Sequence, residues 1–222
     1  MKPAKFDYFD PLELDEALAL LDKHQDDAKV LAGGQSLMPL LNMRLARPKV
    51  IVDINRLKEL SYIREHDGGV AIGANARQRA LQTEELVIDR APVLRDAAKY
   101  IAHPQIRSRG TICGSIAHAD PAAELPALAL ALDAEMVLRS ATATRSVAAR
   151  DFFQSFFTTA LAANEMLTEV RFNAAPKDTA WSMMEVSRRH GDFALVGIVA
   201  GLALETDRPV ISRARLVYFG VG

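Results

Sequence analysis

Apolar residues recur at two different spacings along the chain, and together they predict a mixture of helices and strands. Residues 14–21 carry apolar side chains every three or four positions, which is the period of a helix with one buried face. Asp10 is the predicted N-cap of this helix, and Pro11 is predicted to occupy its first position. Residues 28–34 and 48–55 each contain a short apolar run instead, which predicts two buried strands, the first ending in the glycine turn and the second at Asn55.

The middle of the chain alternates between the same two patterns. Asp67 and Gly68 form a favoured tight-turn pair between two alternating runs, so a hairpin is predicted there. Residues 77–101 are helical in pattern with a break near Pro92, and residues 103–121 are predicted to be a loop. The remaining predicted elements are a helix at 122–133, strands at 135–140, 144–149 and 166–172, and a strand–helix–strand tail from Trp181, with Asp192 as the N-cap of its helix.

This order of elements predicts an α+β protein with more than one subdomain. A boundary is expected near residues 174–176, after a strand and before Trp181. The predicted units are residues 1–55, residues 56–175 and residues 176–222. A crevice between the first two units would be a natural ligand site.

The composition is that of a globular protein without a strong charge bias. Half of the 222 residues are hydrophobic, a quarter are charged, and the formal net charge is −1. Because lysines and arginines are scattered, no basic field is present to hold nucleic acid. No apolar run is long enough to span a bilayer, and no secretory signal is visible. The single cysteine excludes an internal disulfide and a cysteine-ligated iron–sulfur cluster in this chain, and these features together predict a cytoplasmic location.

A first glycine-containing loop follows the strand at 28–31. Gly33 and Gly34 carry no side chain that would block a ligand, and helical spacing begins after Ser36. Unpaired N–H groups at such a position suit a phosphate. The loop alone is compatible with a phosphate cradle or with a simple tight turn, and taken alone it favours the turn.

A second loop of small residues lies in the middle of the chain. Gly110 and Gly114 bracket Thr111, and Asp120 precedes the helix at 122–133 as its predicted N-cap. Glu124 in the first turn suits either the helix dipole or a ligand hydroxyl. Two such loops in one chain favour a diphosphate held between two subdomains.

Several other kinds of site are not supported by the sequence. The chain has no Walker-type phosphate loop, no dinucleotide fingerprint after its first strand and no hydrolase nucleophile elbow. Its histidines do not share a metal-binding spacing with cysteine or acidic residues. Arg107 and Arg109 either contact a phosphate or a partner protein, or lie in a solvated loop. They could also lower the pKa of Cys113, although a small buried filler is the favoured interpretation of that residue.

Three segments together resemble the FAD-binding medium subunit of the molybdenum hydroxylases. They are "AGGQSL", "HPQIRSRGTICGSIAHADPAAELPA" and "EVSRRHGDFALVG", and they occur in the family's order over essentially the whole chain. The long middle segment is highly specific, whereas "AGGQS" alone is not. The group includes the medium subunits of carbon monoxide dehydrogenase, bacterial xanthine and nicotine dehydrogenase flavoproteins, and the FAD domain of xanthine oxidoreductase.

The resemblance implies a fold like that of the vanillyl-alcohol-oxidase and PCMH flavoproteins. Two α+β subdomains would hold FAD, and a smaller α+β C-terminal domain would follow. The first loop would wrap the FAD diphosphate, the second would approach it from the other subdomain, and Ile101 would lie near the flavin ring. No catalytic or metal-binding residue is implied. The implied cofactor-binding residues are Ala32, Gly33, Gly34, Gln35, Ser36, Leu37, Ile101, Thr111, Gly114, Ser115, Asp120, Glu124, Leu167 and Glu185.

Two departures from the family pattern matter. Cys113 stands where the family has the first of two glycines, and a thiol there is expected to crowd a phosphate that approaches the backbone. Family members also run several dozen residues further, and this sequence stops at "VYFGVG", inside the expected C-terminal domain. A cysteine-rich insertion, found in members with an extra iron–sulfur cluster, is excluded by the single cysteine.

The resemblance implies that the chain is an electron-transfer subunit. Its partners would be a large subunit with a molybdenum cofactor and a small subunit with two 2Fe–2S clusters, assembled as a dimer of heterotrimers. The flavin would accept electrons from the clusters and reduce an external acceptor. Two alternatives remain open. One is a free-standing flavin oxidase with a covalent flavin link through His103 or Cys113, and the other is a cofactor-free assembly partner.

Overall fold

The computed structural model describes residues 2–206 and 208–221, and it mixes short helices with strands. This mixture confirms the predicted α+β class. The helices are α1 (Leu14–His24), α2 (Leu37–Asn42), α3 (Ala80–Thr83), α4 (Glu85–Arg90), α5 (Pro92–Ala97), α6 (Pro104–Arg107), α7 (Ile112–His118), α8 (Glu124–Ala131) and α9 (Ala149–Phe152). The strands are β1 (Asp7–Phe9), β2 (Ala28–Leu31), β3 (Val50–Asp53), β4 (Ile63–His66), β5 (Gly69–Gly73), β6 (Glu135–Arg139), β7 (Thr144–Ala148), β8 (Phe153–Ser155), β9 (Thr158–Thr159), β10 (Met166–Phe172), β11 (Thr179–Ser187), β12 (Ala194–Leu204) and β13 (Ile211–Phe219).

The first sheet is parallel, with strand order β1-β3-β2. Helix α1 packs on it through the predicted apolar stripe, whose members Leu14, Ala17, Leu18 and Leu21 are all buried. The carboxyl ends of β2 and β3 lie side by side, because Leu31 pairs with Asp53. The loop that leaves β2 therefore starts beside the residues that follow β3.

The predicted start of the first helix is wrong by several residues. Helix α1 begins at Leu14, with Glu13 as its N-cap, rather than after Asp10. The chain is still extended at Phe9, because β1 pairs with β3. The Asp10 carboxylate instead accepts a hydrogen bond from Arg56 at 2.9 Å, which ties it to the segment after β3.

The second sheet is antiparallel, with strand order β4-β5-β10-β6-β7. The predicted hairpin is confirmed between β4 and β5, and its turn residues Asp67 and Gly68 have φ of 48° and 78°. Positive φ at both central residues is the geometry of a turn that matches strand twist. The predicted strands at 135–140, 144–149 and 166–172 are confirmed as β6, β7 and β10.

The helices between the first and second halves of this sheet are shorter and more numerous than predicted. The pattern at 77–101 forms α3, α4 and α5, and the predicted break falls at Ala91, just before Pro92. Residues 103–121, predicted as a loop, contain α6 and α7. Thr111 caps α7, because its Oγ1 accepts a hydrogen bond from the Gly114 N–H at 3.1 Å.

The third sheet, β11-β12-β13, corrects the predicted tail. The segment expected to be a helix is β12, the central strand, and Asp192 lies in the loop before it rather than at an N-cap. The spacing of Gly197 and Gly201 reflects cross-strand packing, because a side chain at Gly201 would collide with the Trp181 ring. The opposite face of this sheet is exposed and apolar, with Met184, Leu202, Leu216 and Tyr218 among its members.

The sheets draw on successive stretches of the chain. The first uses residues 7–53, the second uses residues 63–172, and the third uses residues 179–219. A single cluster of buried hydrophobic residues nevertheless runs from Leu14 to Phe219. The boundaries at residues 55 and 175 stay predictions.

Candidate functional site

A cleft of about 650 Å³ lies between the two glycine loops, and it has the size expected of a cofactor pocket. Thirteen of the fourteen predicted cofactor-binding residues line it. They are Ala32, Gly33, Gly34, Gln35, Ser36, Leu37, Ile101, Thr111, Gly114, Ser115, Asp120, Glu124 and Leu167. Glu185 is not among the lining residues.

The two glycine loops touch each other. An ideal Cβ built on Gly33 would lie 2.5 Å from the carbonyl oxygen of Arg109, 2.6 Å from the Cα of Gly110 and 2.9 Å from the amide nitrogen of Thr111. No side chain fits into that gap, because all three neighbours are backbone atoms. Gly33 therefore allows the first loop to pack against the second.

The first loop presents a row of free backbone donors to the cleft. Within the described residues, the N–H groups of residues 33–37 donate to no protein acceptor. Gly34 has φ of 71°, a conformation that favours glycine and turns the chain between β2 and α2. Gly33 is buried and Ser36 is exposed, so the row runs from the protein interior to solvent, and its unpaired N–H groups are available to a ligand with acceptor oxygens. Backbone concavities of this kind bind anions such as phosphates.

Cys113 is among the residues that line the cleft, but the structure gives no support to the expected crowding of a phosphate by its thiol. Its side chain is 2 % exposed, and its Sγ donates to the carbonyl oxygen of Ile72 on β5 at 3.5 Å. Burial raises the pKa of this thiol well above its usual value, rather than lowering it through Arg107 or Arg109. The favoured interpretation of Cys113 as a small buried filler is confirmed.

Two arginines near the second loop have different roles. Arg107 is buried, and its Nη1 donates to the carbonyl oxygens of Ile101 and Ala102 at 2.7 and 2.9 Å. Its guanidinium therefore shapes the loop that carries Ile101. Arg109 has an exposed side chain, while its carbonyl oxygen is the atom that Gly33 approaches.

Two acidic residues line the cleft near α8. Asp120 is not the N-cap of α8, which is Ala123; its Oδ1 accepts a hydrogen bond from the Ala122 N–H at 2.9 Å. Glu124 is buried, and burial raises the pKa of its carboxyl to about 7, with the nearby charges of Glu185 and Asp120 adding to the effect. Burial also raises the pKa of Glu185, whose Oε2 has no hydrogen-bond partner among the described residues. Glu185 lies outside the residues that line the cleft, and its charge adds to the raised pKa of Glu124.

Sequence reasoning missed some residues around the cleft. Gln78 is buried and lines the cleft, and its Oε1 has no partner among the described residues. Phe157, on the turn between β8 and β9, also lines it and packs on His118 with 5.2 Å between ring centroids. Nothing in their sequence context marks these residues, because β8 and β9 were not predicted and Gln78 lies in a segment that reads as helix.

The residues present fit FAD. The free amides and the glycines supply a cradle for a diphosphate, and the unpartnered Gln78 oxygen offers a hydrogen-bonding group in an otherwise buried wall. Within residues 2–206 and 208–221, no cluster of three or more His, Cys, Asp or Glu side chains is arranged to hold a metal ion.

Comparison with known proteins agrees with this geometry. Residues 4–174 match the family described as the FAD binding domain in molybdopterin dehydrogenase. The whole chain is 44% identical over 222 residues to the alpha subunit of the 6-hydroxypseudooxynicotine dehydrogenase complex of Paenarthrobacter nicotinovorans, and it covers 75% of that protein.

Two solved structures share the fold with a TM-score of 0.93. Carbon monoxide dehydrogenase from Hydrogenophaga pseudoflava is 40% identical, with 99% of this chain and 76% of that chain covered. Quinoline 2-oxidoreductase from Pseudomonas putida 86 is 37% identical, with 100% of this chain and 76% of that chain covered.

The fold and the cleft define an FAD-binding flavoprotein, an oxidoreductase subunit of the molybdenum hydroxylase type. The chain belongs to the family of FAD-binding domains of molybdopterin dehydrogenases, as its resemblance to the medium subunits predicted. Among the helices that the structure describes, none combines the length and the apolar character that a membrane crossing requires.

Proposed function

We propose that the chain is the electron-transfer subunit of a molybdenum hydroxylase. FAD supplies the redox chemistry, accepting electrons from 2Fe–2S clusters of a small partner subunit and delivering them to an external acceptor. Relatives named as a medium chain of carbon monoxide dehydrogenase and as a subunit of a dehydrogenase complex support this role. A large subunit with the molybdenum cofactor completes the proposed assembly, a dimer of heterotrimers. Its cytoplasmic location stays a prediction.

The single observation that carries the proposal is the row of free amides at residues 33–37, all of which line the cleft beside the second loop. These groups bind the diphosphate, while Ile101 and Leu167 supply apolar contacts for the flavin. Asp120 and Glu124 line the cleft and act as acceptors for ligand hydroxyls, and Glu185, outside the lining, stays a predicted cofactor-binding residue. In the proposed division, units 1–55 and 56–175 hold the cofactor and residues 176–222 begin the C-terminal domain.

The structure gives no support to a free-standing oxidase with covalently linked flavin. The Cys113 thiol is buried and hydrogen-bonded to Ile72, and its raised pKa disfavours the thiolate. His103 packs against Gly191 and is not among the residues that line the cleft.

The test is a spectrum followed by reduction experiments. The purified chain should show flavin absorption after incubation with FAD, and acid precipitation should leave the flavin in the supernatant. In the absence of oxygen, reduction of this flavin by substrate should require the molybdenum and iron–sulfur subunits. Failure to retain FAD would contradict the proposal, and so would flavin that stays in the pellet or is reduced by substrate without the partners.

A further inference from the structure

Two side chains behind the glycine loops connect them to each other. Asn55 follows β3, and its Nδ2 donates to the carbonyl oxygen of Ala32 at 2.8 Å. Arg77 follows β5, and its Nη1 donates to the carbonyl oxygen of Arg109 at 2.6 Å. The two side chains meet, because Nη2 of Arg77 donates to Oδ1 of Asn55 at 2.6 Å. The chain of contacts therefore runs from one loop through Asn55 and Arg77 to the other.

The contact at Ala32 sets the direction of the first free amide. In a trans peptide the C=O and the following N–H point to opposite sides, and no cis peptide bond occurs among the described residues. Because Asn55 holds the Ala32 carbonyl, the Gly33 N–H points away from Asn55. Asn55 is itself fixed by Asp53, whose Oδ1 accepts from the Asn55 N–H at 2.8 Å.

The backbone around Arg77 fixes the second loop in the same way. Arg77 and Thr111 face each other in an isolated antiparallel bridge. The Gln78 N–H donates to the Gly110 carbonyl at 2.9 Å, and the Ile112 N–H donates to the Ala76 carbonyl at 3.2 Å. Arg77 therefore helps to hold the second loop in place, and its hydrogen bond to Asn55 connects it to the first loop.

The charge of Arg77 has no close acidic partner. Within residues 2–206 and 208–221, its guanidinium forms no ion pair, and its hydrogen bonds go to neutral oxygens. Asp53, the acidic neighbour that favours its charged form, instead accepts hydrogen bonds from Tyr8 and Asn55. Burial lowers the pKa of the half-buried Arg77, and the nearby positive charge of Arg109 adds to the effect. A half-buried cation without a carboxylate favours an anion nearby.

We infer that Asn55 and Arg77 form a latch that sets the spacing of the two glycine loops and places a positive charge behind a bound diphosphate. The inference rests on the proposed function, because the bound group is the diphosphate of FAD. Neither side chain is among the residues that line the cleft, so both are positioning residues. Without the latch, the loops would have to be ordered when the ligand binds, and that ordering costs affinity.

The experiment compares FAD dissociation constants and unfolding transitions of the FAD-free full chain for four variants. Arg77→Met and Asn55→Ala should each weaken FAD binding by about tenfold, the value of one lost hydrogen bond to a charged group. The double variant should bind FAD little more weakly than Arg77→Met alone, because both changes break the same connection. Arg77→Lys, which keeps the charge but loses the two-pronged contact, should recover part of the affinity.

A matched control separates this effect from a general loss of an arginine. Arg90→Met breaks an exposed pair with Glu65, joined at 2.9 Å away from the cleft, and should leave FAD affinity unchanged. The latch is overturned if Arg77→Met binds FAD like the natural chain, if the two changes are additive, or if Lys restores nothing. If Arg77→Met does not fold, Asn55→Ala and Arg77→Lys decide by the same criteria. Absence of FAD binding by the natural chain would instead overturn the proposed function.

Discussion

Gly33 and Gly34 are neighbours with different physical reasons for being glycine. Gly33 is required by space, because backbone atoms of the second loop occupy the position of any side chain. Gly34 is required by conformation, since its φ of 71° strains residues that carry a Cβ. A side chain at Gly34 would meet only the flexible ends of Leu31 and Met38, at 3.1 and 3.2 Å. The doublet therefore combines two separate requirements, and a substitution at each position tests a different one.

Gly34→Ala should lower the free energy of unfolding by about 1 kcal/mol, because alanine is strained at this φ. It should also weaken FAD binding, because the residue lies within the row of free amides. Gly68→Ala is the matched control. Gly68 has φ of 78°, lies in the hairpin turn and has no atom within 4 Å of a built Cβ. Chemical denaturation should show a similar loss for both variants, and titration with FAD should show weaker binding for Gly34→Ala alone. Equal FAD affinity in the two variants would contradict the role of the loop.

Glu124 should make stability depend on pH. Burial raises the pKa of its carboxyl from 4.5 to about 7 in the folded chain. The unfolded chain therefore loses this proton first as pH rises. The contribution to the free energy of unfolding is complete below pH 4.5, declines as pH rises towards 7 and is lost above it, by an amount on the order of 3 kcal/mol.

Glu124→Gln should remove this decline, which denaturant titrations across the pH range can measure. Glu85→Gln, at an exposed position on α4, is the control and should retain the decline. The assignment would be refuted if the difference in free energy of unfolding between the natural chain and Glu124→Gln did not change between pH 4.5 and 7.

Helix α7 shows how an element can be anchored by a residue that first suggests a different role. Its N-terminus is capped by Thr111, and its second residue, Cys113, points into the core against β5. The thiol therefore holds the helix on the second sheet, while the backbone of the same turn remains open to the cleft. The family's glycine at this position would remove the anchor.

Cys113→Gly should lower the free energy of unfolding by about 1–2 kcal/mol, through lost packing and the poor helix propensity of glycine. FAD affinity should stay within about threefold of the natural value, because the side chain lies behind the loop. Thermal unfolding and FAD titration measure the two quantities. A large gain in FAD affinity would mean that the thiol does crowd the ligand.

The cleft depends on the meeting of two parts of the chain that are far apart in sequence. The first loop leaves a parallel sheet, and the second lies against the antiparallel sheet formed by residues 63–172. The loops pack against each other at Gly33 and are joined by Asn55 and Arg77. A ligand that contacts both loops should therefore stabilise the folded protein as a unit.

FAD at about 100 times its dissociation constant should raise the free energy of unfolding by about 2.7 kcal/mol, because only the folded chain presents the site. The measurement is denaturant unfolding at increasing FAD concentrations. Riboflavin, which lacks the phosphates, is the control and should stabilise the chain less at the same concentration. Equal stabilisation by the two compounds would show that the amide row does not bind the diphosphate.

Elements with a strong local pattern were predictable from the sequence, and those that depend on distant partners were not. The hairpin at Asp67 and Gly68 and the strands β6, β7 and β10 follow from alternation and turn residues. The segment that forms β12 is small and apolar in every register, so periodicity could not separate a strand from a helix. Its pairing with β11 and β13 makes it a strand. Asp10 fails as a cap for a similar reason, because Arg56 binds its carboxylate.

The candidate site likewise has features that local sequence predicts and features that depend on contacts between distant segments. The glycine-containing loops and the family motifs are local signals, and they identified thirteen residues that line one cleft. The sequence located both glycine-containing segments, but it did not reveal that α6 and α7 lie within residues 103–121. The contact between the loops, the orientation of Cys113 and the connection through Asn55 and Arg77 join residues on different elements. These features depend on packing across the fold, and they became visible only once the chain's distant segments were brought together.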